Sequence, residues 1–234
     1  MPAWSAETQH KVCQKGYLMV VTEMLSLPAL TLAFGHTRQG KKISRSSWIT
    51  VKETAALATL LDLVLNNVIE VTNTGYVMLQ GSQPVPGWGV QAVERISRRP
   101  KTPAHLLRDG SRWLDGPWQE LATHGLARHS WAGWSYMPGQ VAEDAWLRVV
   151  AILTQQQPAT PREDLLLTLL TNVITGASSV FRRDPHTALE PHWWRTSYAT
   201  LTPGWQDDTA HAADITALLN GSREYQRWLV TAGT

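Results

Sequence analysis

The sequence predicts a mainly α-helical fold: a single globular domain of helices around a buried central helix, with two short β-hairpins. The central helix is predicted because residues 50–71 are apolar on nearly every side of a helix, and Asp62 is the only ionisable residue between Glu53 and Glu70. Helix-start signals recur along the rest of the chain, as at Thr160-Pro161-Arg162-Glu163. Two stretches combine strand-type residues with turn signals, and each predicts a hairpin.

Length and composition limit the class of protein. A chain of 234 residues can form one large domain or two small ones, and it shows no clear linker, so we predict an N-terminal extension at 1–24 and one domain at 25–234. The net charge of +2 gives no global indication of nucleic acid or membrane binding, so only local clusters can argue for either. Twelve tryptophans against two phenylalanines fit either a Trp-rich core or an interface.

The single cysteine, Cys13, excludes an intramolecular disulfide framework and fits a reducing compartment. The first residues lack the basic and then apolar layout of a signal peptide. We therefore expect a cytoplasmic protein that can attach peripherally to a membrane. No cofactor is expected.

The central helix is predicted to cover 50–67. Thr50 and Glu53 have the spacing of a capping box, in which each side chain satisfies a backbone N–H at the helix start. The helix is too short to cross a bilayer, which needs about 20 apolar residues, and Asp62 would be costly there.

The remaining elements follow from proline, glycine and capping signals. Helices are predicted at 27–34, 88–99, 102–108, 115–124, 141–155, 160–174, 192–200, 207–219 and 222–231. Hairpins are predicted at 68–79 and 126–136.

Basic residues form two clusters that could attract phosphate groups of nucleic acids or lipids. The first precedes or opens the central helix beside Trp48 and contains Arg38, Lys41, Lys42, Arg45 and Lys52. The second lies mid-chain, with Glu94 and Asp109 as its local acids, and contains Arg95, Arg98, Arg99, Lys101, Arg108 and Arg112. A solvated helix face is the alternative interpretation of either cluster.

The predicted hairpin at 126–136 carries Trp131, Trp134 and Tyr136. Strict alternation puts Trp134 and Tyr136 on one face and Trp131 on the other. Two tryptophans so near a hairpin tip are hard to bury together, which favours a membrane wedge. A helix followed by a hairpin is also the layout of a winged helix, so DNA binding remains an alternative.

An acidic cluster near the C-terminus could hold a divalent metal, because positions i, i+4 and i+7 share a helix face. Its members are Asp207, Asp208, His211 and Asp214. The favoured interpretation is that the two adjacent aspartates act as N-cap and first-turn acids. The sequence contains no G-x-S-x-G, P-loop, G-x-G-x-x-G or zinc-spaced Cys/His motif.

Taken in order, several segments resemble the Golgi phosphoprotein 3 family, including its shorter bacterial members. LSLPALTLAFGHTRQGK at 25–41 is similar to the family's opening L-x-L-P segment and Gly-Lys pair. Trp48 precedes the Ala/Leu-rich helix as the family's Trp does, and 121–126 matches its Leu-x-x-x-Gly-Leu ending before a hairpin. TPREDLLLTLLTNVI at 160–174 is similar to its Leu-rich late helix, and the resemblance covers about 25–220.

This resemblance implies an almost entirely helical domain that binds membranes peripherally through a phosphoinositide headgroup. Trp48 matches the family's ligand-binding Trp, and the family's paired arginines fall near Arg108 and Arg112. The family's central-helix arginine is replaced by Ala56 or Leu57. The hairpin would dip into the bilayer or join subunits.

The leading hypothesis is a non-enzymatic peripheral protein that binds anionic phospholipid or phosphoinositide-like headgroups and that can serve as an adaptor. The expected headgroup-binding residues are Lys41, Lys42, Arg45, Trp48, Arg108 and Arg112, and the expected membrane-contact residues are Trp131 and Trp134. Homo-oligomers through the 126–136 hairpin are a further expectation. The alternatives are a metal-dependent enzyme acting on an isoprenoid diphosphate, and a winged-helix DNA binder, which nothing favours over membrane binding.

Overall fold

The computed structural model describes residues 25–36, 45–81, 83–153, 158–170 and 210–232. Within these ranges only the backbone is described at 45–50, 142, 143, 146, 150, 153 and 229–232. Several predictions lie outside the described residues: the extension at 1–24, Lys41 and Lys42, the helix at 192–200, and Asp207 and Asp208.

The described elements form a mainly α-helical single domain with two short hairpins, as the sequence predicts. In chain order the helices are α1 (Leu27–Phe34), α2 (Arg45–Leu65), α3 (Val90–Arg98), α4 (Pro103–Arg108), α5 (Asp115–Thr123), α6 (Gln140–Leu153), α7 (Pro161–Thr168) and α8 (Ala212–Ala232). Short 3-10 turns cover Gly87–Gly89 and Gly110–Trp113. The strands are β1 (Ile69–Val71), β2 (Val77–Leu79), β3 (Ala127–Ser130) and β4 (Gly133–Tyr136).

Helix α2 is the buried centre of the domain, as predicted. Helices α1, α4, α7 and α8 and the turn at 110–113 all pack against it. Gly110 approaches α2 so closely that a Cβ at this position would collide with the side chain of Ala56. The α2 side chains that are fully buried include Ala55, Ala56, Leu57, Ala58, Leu60, Leu61, Leu63 and Val64.

The predicted start of the central helix is wrong. Helix α2 begins at Arg45, so Thr50 lies inside the helix and cannot be its N-cap. The segment from 45 to 50 contains no glycine or proline that would stop the helix from extending backwards. Glu53 has a different partner from the predicted one, because its carboxylate accepts a hydrogen bond from the Tyr225 hydroxyl at 3.4 Å.

Local capping signals locate three helices correctly. Ser26 caps α1 by accepting a hydrogen bond from the Ala29 N–H at 3.3 Å. Thr102 caps α4, and Thr160 and Glu163 form the predicted capping box at the start of α7.

The C-terminal helices predicted at 207–219 and 222–231 are instead one continuous helix, α8. Gly221, which lies between the two predicted helices, is inside this helix and packs against Pro103. A side chain at position 221 would clash with that proline, so the glycine allows α8 to approach α4 closely. This contact joins residues far apart in sequence.

Both predicted hairpins are present, and each forms a separate two-stranded antiparallel sheet. Ile69 pairs with Leu79 in the first, and Ala127 pairs with Tyr136 in the second. The second hairpin turns at residues 131 and 132, and Gly133 after them has a φ of 101°, a conformation that favours glycine. Among the described residues, no helix has the length and apolar character needed to span a bilayer.

Candidate functional site

The predicted headgroup-binding residues fall into two described parts of the molecule. Arg45 is the first residue of α2 and Trp48 follows three positions later, both described by their backbone alone. Arg108 ends α4, and Arg112 lies in the 3-10 turn just after it. Both of these arginine side chains are exposed.

Arg108 is held beside the C-terminal half of α8. Its guanidinium carbon lies 4.2 Å from the ring centroid of Trp228, a cation–π contact, and the Trp228 side chain remains 43% exposed. Trp228 in turn stacks on Tyr225 with ring centroids 6.1 Å apart. Sequence reasoning missed Trp228, although the spacing of the two aromatic residues on one helix predicts their contact.

Tyr225 connects this aromatic pair to α2 through its hydrogen bond to Glu53. Burial, and after it the adjacent Glu53 carboxylate, raise the pKa of Tyr225 to about 12. Burial also raises the pKa of Glu53, against the opposing effect of the hydrogen bond. Glu53 lies in the N-terminal half of α2, five residues or about 7.5 Å along the helix axis after Trp48. The contacts through Tyr225 and Trp228 therefore place Arg108 near this half of the helix.

Three basic side chains meet at the carboxylate of Asp109, and we call these four residues the Asp109 cluster. Arg95 Nη1 lies 4.0 Å from Asp109 Oδ2, and Lys101 Nζ lies 3.6 Å from the same oxygen. Arg112 Nη1 lies 3.6 Å from Asp109 Oδ1. Three positive charges and one negative charge leave this cluster with a local excess of two positive charges.

The base of the second hairpin is fixed to the domain by aromatic contacts. Trp134 stacks on Trp118 of α5 with centroids 6.2 Å apart, and its indole N–H donates a hydrogen bond to Asp115 Oδ1 at 3.1 Å. Tyr136 stacks on His36 at 4.6 Å, and burial raises the pKa of Tyr136 to about 12.

The hairpin tip differs from its base. Trp131 occupies the turn and its side chain is 100% exposed, whereas Trp134 is half-buried against α5. Asp115, the partner of Trp134, follows Arg112 by three residues, a span of at most about 11 Å. The residue that holds the hairpin base therefore lies within about 11 Å of Arg112, a member of the Asp109 cluster, measured between Cα atoms.

The two described residues of the candidate metal site connect the start of α8 to the segment from Asn67 to Val71, which follows α2 and enters the first hairpin. His211 Nε2 lies 3.1 Å from Asn67 Oδ1, and Asp214 Oδ1 accepts a hydrogen bond from the Val71 N–H at 3.1 Å. Across the described ranges, no three His, Cys, Asp or Glu side chains are grouped in a way that could hold a metal ion.

A buried polar network that sequence reasoning missed surrounds the start of α1. Asp62 accepts hydrogen bonds from the Leu27 N–H at 2.8 Å and from Arg162 Nη2 at 3.0 Å. Glu120 accepts from the Ser26 N–H at 2.8 Å and from the Ser26 hydroxyl. Burial raises the pKa of both carboxyl groups, so desolvation outweighs their hydrogen bonds and the Arg162 charge.

A second buried network joins α6 to α7. Arg148 donates to both carboxylate oxygens of Glu163, at 2.7 and 2.8 Å, and to the Pro158 carbonyl at 2.8 Å. Glu163 also completes the capping box by accepting a hydrogen bond from the Thr160 N–H at 2.8 Å. Both networks hold helices together in the interior.

Comparison with models of known protein families, with curated proteins and with solved structures finds no match to this chain.

Proposed function

We propose that this protein is a non-enzymatic peripheral protein that binds anionic membrane surfaces. The observation that carries the proposal is the full exposure of Trp131 at the tip of a hairpin whose base is fixed close to the Asp109 cluster. An exposed aromatic side chain and exposed basic residues on one domain suit the membrane–water interface, where indole rings and positive charges are both favoured. The order of segments that resembles the Golgi phosphoprotein 3 family supports the same function.

Charge and apolar contact contribute separately to the proposed binding. Each basic residue near an anionic surface contributes about 1 kcal/mol, and Arg108 and Arg112 are both exposed. Insertion of Trp131 adds apolar burial that does not depend on lipid charge. The two contributions can therefore be separated by changing the lipid and the salt concentration independently.

Helix α2 itself does not supply a charged side chain at the position where the resembled family has arginine. Ala56 is fully buried and lies against Gly110, which leaves no space for a longer side chain. We therefore assign headgroup binding to residues outside the centre of α2, namely Arg108, Arg112 and those at the start of the helix.

Co-sedimentation with vesicles tests the proposal. We expect binding to phosphatidylcholine vesicles that contain an anionic lipid, little binding to pure phosphatidylcholine, and weaker binding as the salt concentration rises. Arg108→Gln should weaken binding about fivefold, since about 1 kcal/mol corresponds to that change in Kd. Arg223→Gln, at an exposed position of α8, is the matched control and should change it less.

Two outcomes would contradict the proposal: equal binding to neutral and anionic vesicles, or no binding to either. Light scattering without vesicles separates membrane contact from self-association through the same hairpin. If Trp131→Ala changed the oligomeric state and left vesicle binding intact, the hairpin would be a subunit contact and not a membrane contact.

A further inference from the structure

We propose that Asp109 is the resident counter-ion of an anion-binding site formed by Arg95, Lys101 and Arg112, and that the anion which replaces it is a phosphate monoester group. This inference deepens the proposed function, because it names the headgroup chemistry, but it can stand if membrane binding fails. The observation that carries it is the convergence of three basic side chains from three elements on one carboxylate.

The backbone holds the three basic residues in fixed positions. Arg95 lies on α3, and the Lys101 carbonyl accepts a hydrogen bond from the Val77 N–H of β2 at 2.9 Å. Arg112 lies in the 3-10 turn, where its own N–H donates to the Asp109 carbonyl at 3.0 Å. A site built on secondary structure keeps its charges together even when its counter-ion moves, because the backbone does not depend on the ion pairs.

The cluster is open to an incoming anion. Arg112 has a side chain that is 67% exposed, and the side chains of the other three residues are only partly buried. An anion can therefore approach from the Arg112 side and contact all three bases while the Asp109 carboxylate turns away. Ion pairs at this exposure are weak, about 0–1 kcal/mol each, so Asp109 can be displaced.

The charge balance favours a doubly charged ligand. A singly charged phosphate diester that replaces Asp109 exchanges one negative charge for another, with no net gain. A phosphate monoester carries about −1.5 to −2 charge at neutral pH and offers three acceptor oxygens. Once Asp109 turns away, three positive charges face the ligand, so a monoester neutralises more of this charge than Asp109 or a diester does.

Vesicles of matched surface charge test the ligand class. Phosphatidylcholine vesicles would carry either phosphatidic acid, whose headgroup is a phosphate monoester, or phosphatidylglycerol, whose headgroup is a diester. We expect the wild type to bind the monoester vesicles about fivefold more tightly, the effect of one extra charge interaction. Arg95→Gln/Lys101→Gln should abolish this preference, and Lys101→Gln alone should reduce it if the double variant does not fold.

If Asp109 is a counter-ion that the ligand replaces, removing its charge should strengthen ligand binding, although the substitution also removes three ion pairs. Asp109→Asn should tighten binding of both lipids about fivefold, so that the diester is then bound as tightly as the wild type binds the monoester. Glu94→Gln makes the same change in net charge at an exposed position next to Arg95 and should have a smaller effect. A purely structural Asp109 would instead give weaker binding in the Asn variant.

A second arm uses glycerol 3-phosphate without vesicles, measured by calorimetry. Saturable binding of glycerol 3-phosphate that requires Lys101 supports the anion-binding site. If the protein binds glycerol 3-phosphate in this way but does not bind vesicles, the ligand is a soluble phosphate monoester and the proposed membrane binding is wrong. Vesicle binding that requires Trp131 but shows no monoester preference overturns this inference and leaves the membrane proposal intact. Weaker binding by Asp109→Asn, or a preference retained without Arg95 and Lys101, also overturns it.

Discussion

The indole N–H of Trp134 donates a hydrogen bond to Asp115 Oδ1 at 3.1 Å, while the Trp134 ring stacks on Trp118. This relationship fixes the base of the second hairpin to the N-terminal half of α5. Trp131, three residues away at the tip, has no such support and is fully exposed. The two tryptophans therefore have different roles: Trp134 positions the hairpin, and Trp131 is free to contact another surface.

Trp131→Ala should weaken binding to anionic vesicles without changing the stability of the fold. Because the side chain is fully exposed, we expect the free energy of unfolding to change by no more than about 0.5 kcal/mol. Removing an aromatic group that is buried in the membrane should raise the Kd at least about tenfold, since such burial contributes about 1.5–3 kcal/mol. Co-sedimentation and urea unfolding measure the two effects, and a stability loss with unchanged vesicle binding would reverse the assigned roles.

Trp134→Phe, in contrast, should lower the stability of the fold. Phenylalanine retains an aromatic ring against Trp118 but lacks the N–H donor to Asp115, so the variant should lose about 0.5–1 kcal/mol of stability. For a chain of this size about 1 kcal/mol corresponds to a fall in Tm of about 2–4 °C. Differential scanning calorimetry checks this, with Asp115→Asn as the matched control because its amide oxygen can still accept the bond. An unchanged Tm would show that the hydrogen bond contributes nothing.

Arg148→Met should be among the most destabilising single substitutions. Arg148 and Glu163 are 2% and 4% exposed, and removal of the arginine leaves a buried carboxylate that has lost its cation. Breaking such a pair costs about 3–5 kcal/mol. Urea unfolding measures the loss.

The matching double variant tests the physical reason. Glu163→Gln can retain the capping box because glutamine also accepts the Thr160 N–H. Arg148→Met/Glu163→Gln should therefore lose at least about 1 kcal/mol less than the sum of the single losses. Additive losses would mean that the charge of Glu163 is not the source of the cost.

The pH dependence of stability should include a contribution from Glu120. Burial raises its pKa in the folded protein above the ordinary value of 4.5, so the folded state binds more protons than the unfolded state between these two values. Stability contributed by this group is therefore greatest at low pH and falls as the pH rises from 4.5 through the raised pKa. Glu120→Gln should remove this contribution, so that the Tm of the variant falls less, or rises more, than that of the wild type as the pH rises through this range. A Tm that falls more with rising pH in the variant than in the wild type would contradict the sign.

The sequence predicted those features whose causes are local. The start of α7 depends on Thr160 and Glu163, three residues apart, and the start of α1 depends on Ser26 and the proline after Leu27. The buried character of α2 also follows from its own composition. These elements required no knowledge of their neighbours.

Features that depend on distant contacts were missed. The two predicted C-terminal helices are one helix, α8, and Gly221 within it approaches Pro103 of α4 closely. The role of Asp109 depends on Arg95 and Lys101, which reach it from separate elements. The sequence identified the bases as one cluster but could not predict that they share a carboxylate, because that requires the relative positions of α3 and the turn at 110–113.

Hydrogen exchange of the second hairpin shows whether Trp131 contacts the membrane. The wild-type protein would be incubated with neutral or anionic vesicles, and exchange would be followed by mass spectrometry in peptides that cover 127–136. We expect anionic vesicles to slow exchange around Trp131, and neutral vesicles to have little effect. If the protein co-sediments with anionic vesicles while exchange at 127–136 remains unchanged, the hairpin does not contact the membrane, contrary to the proposed function.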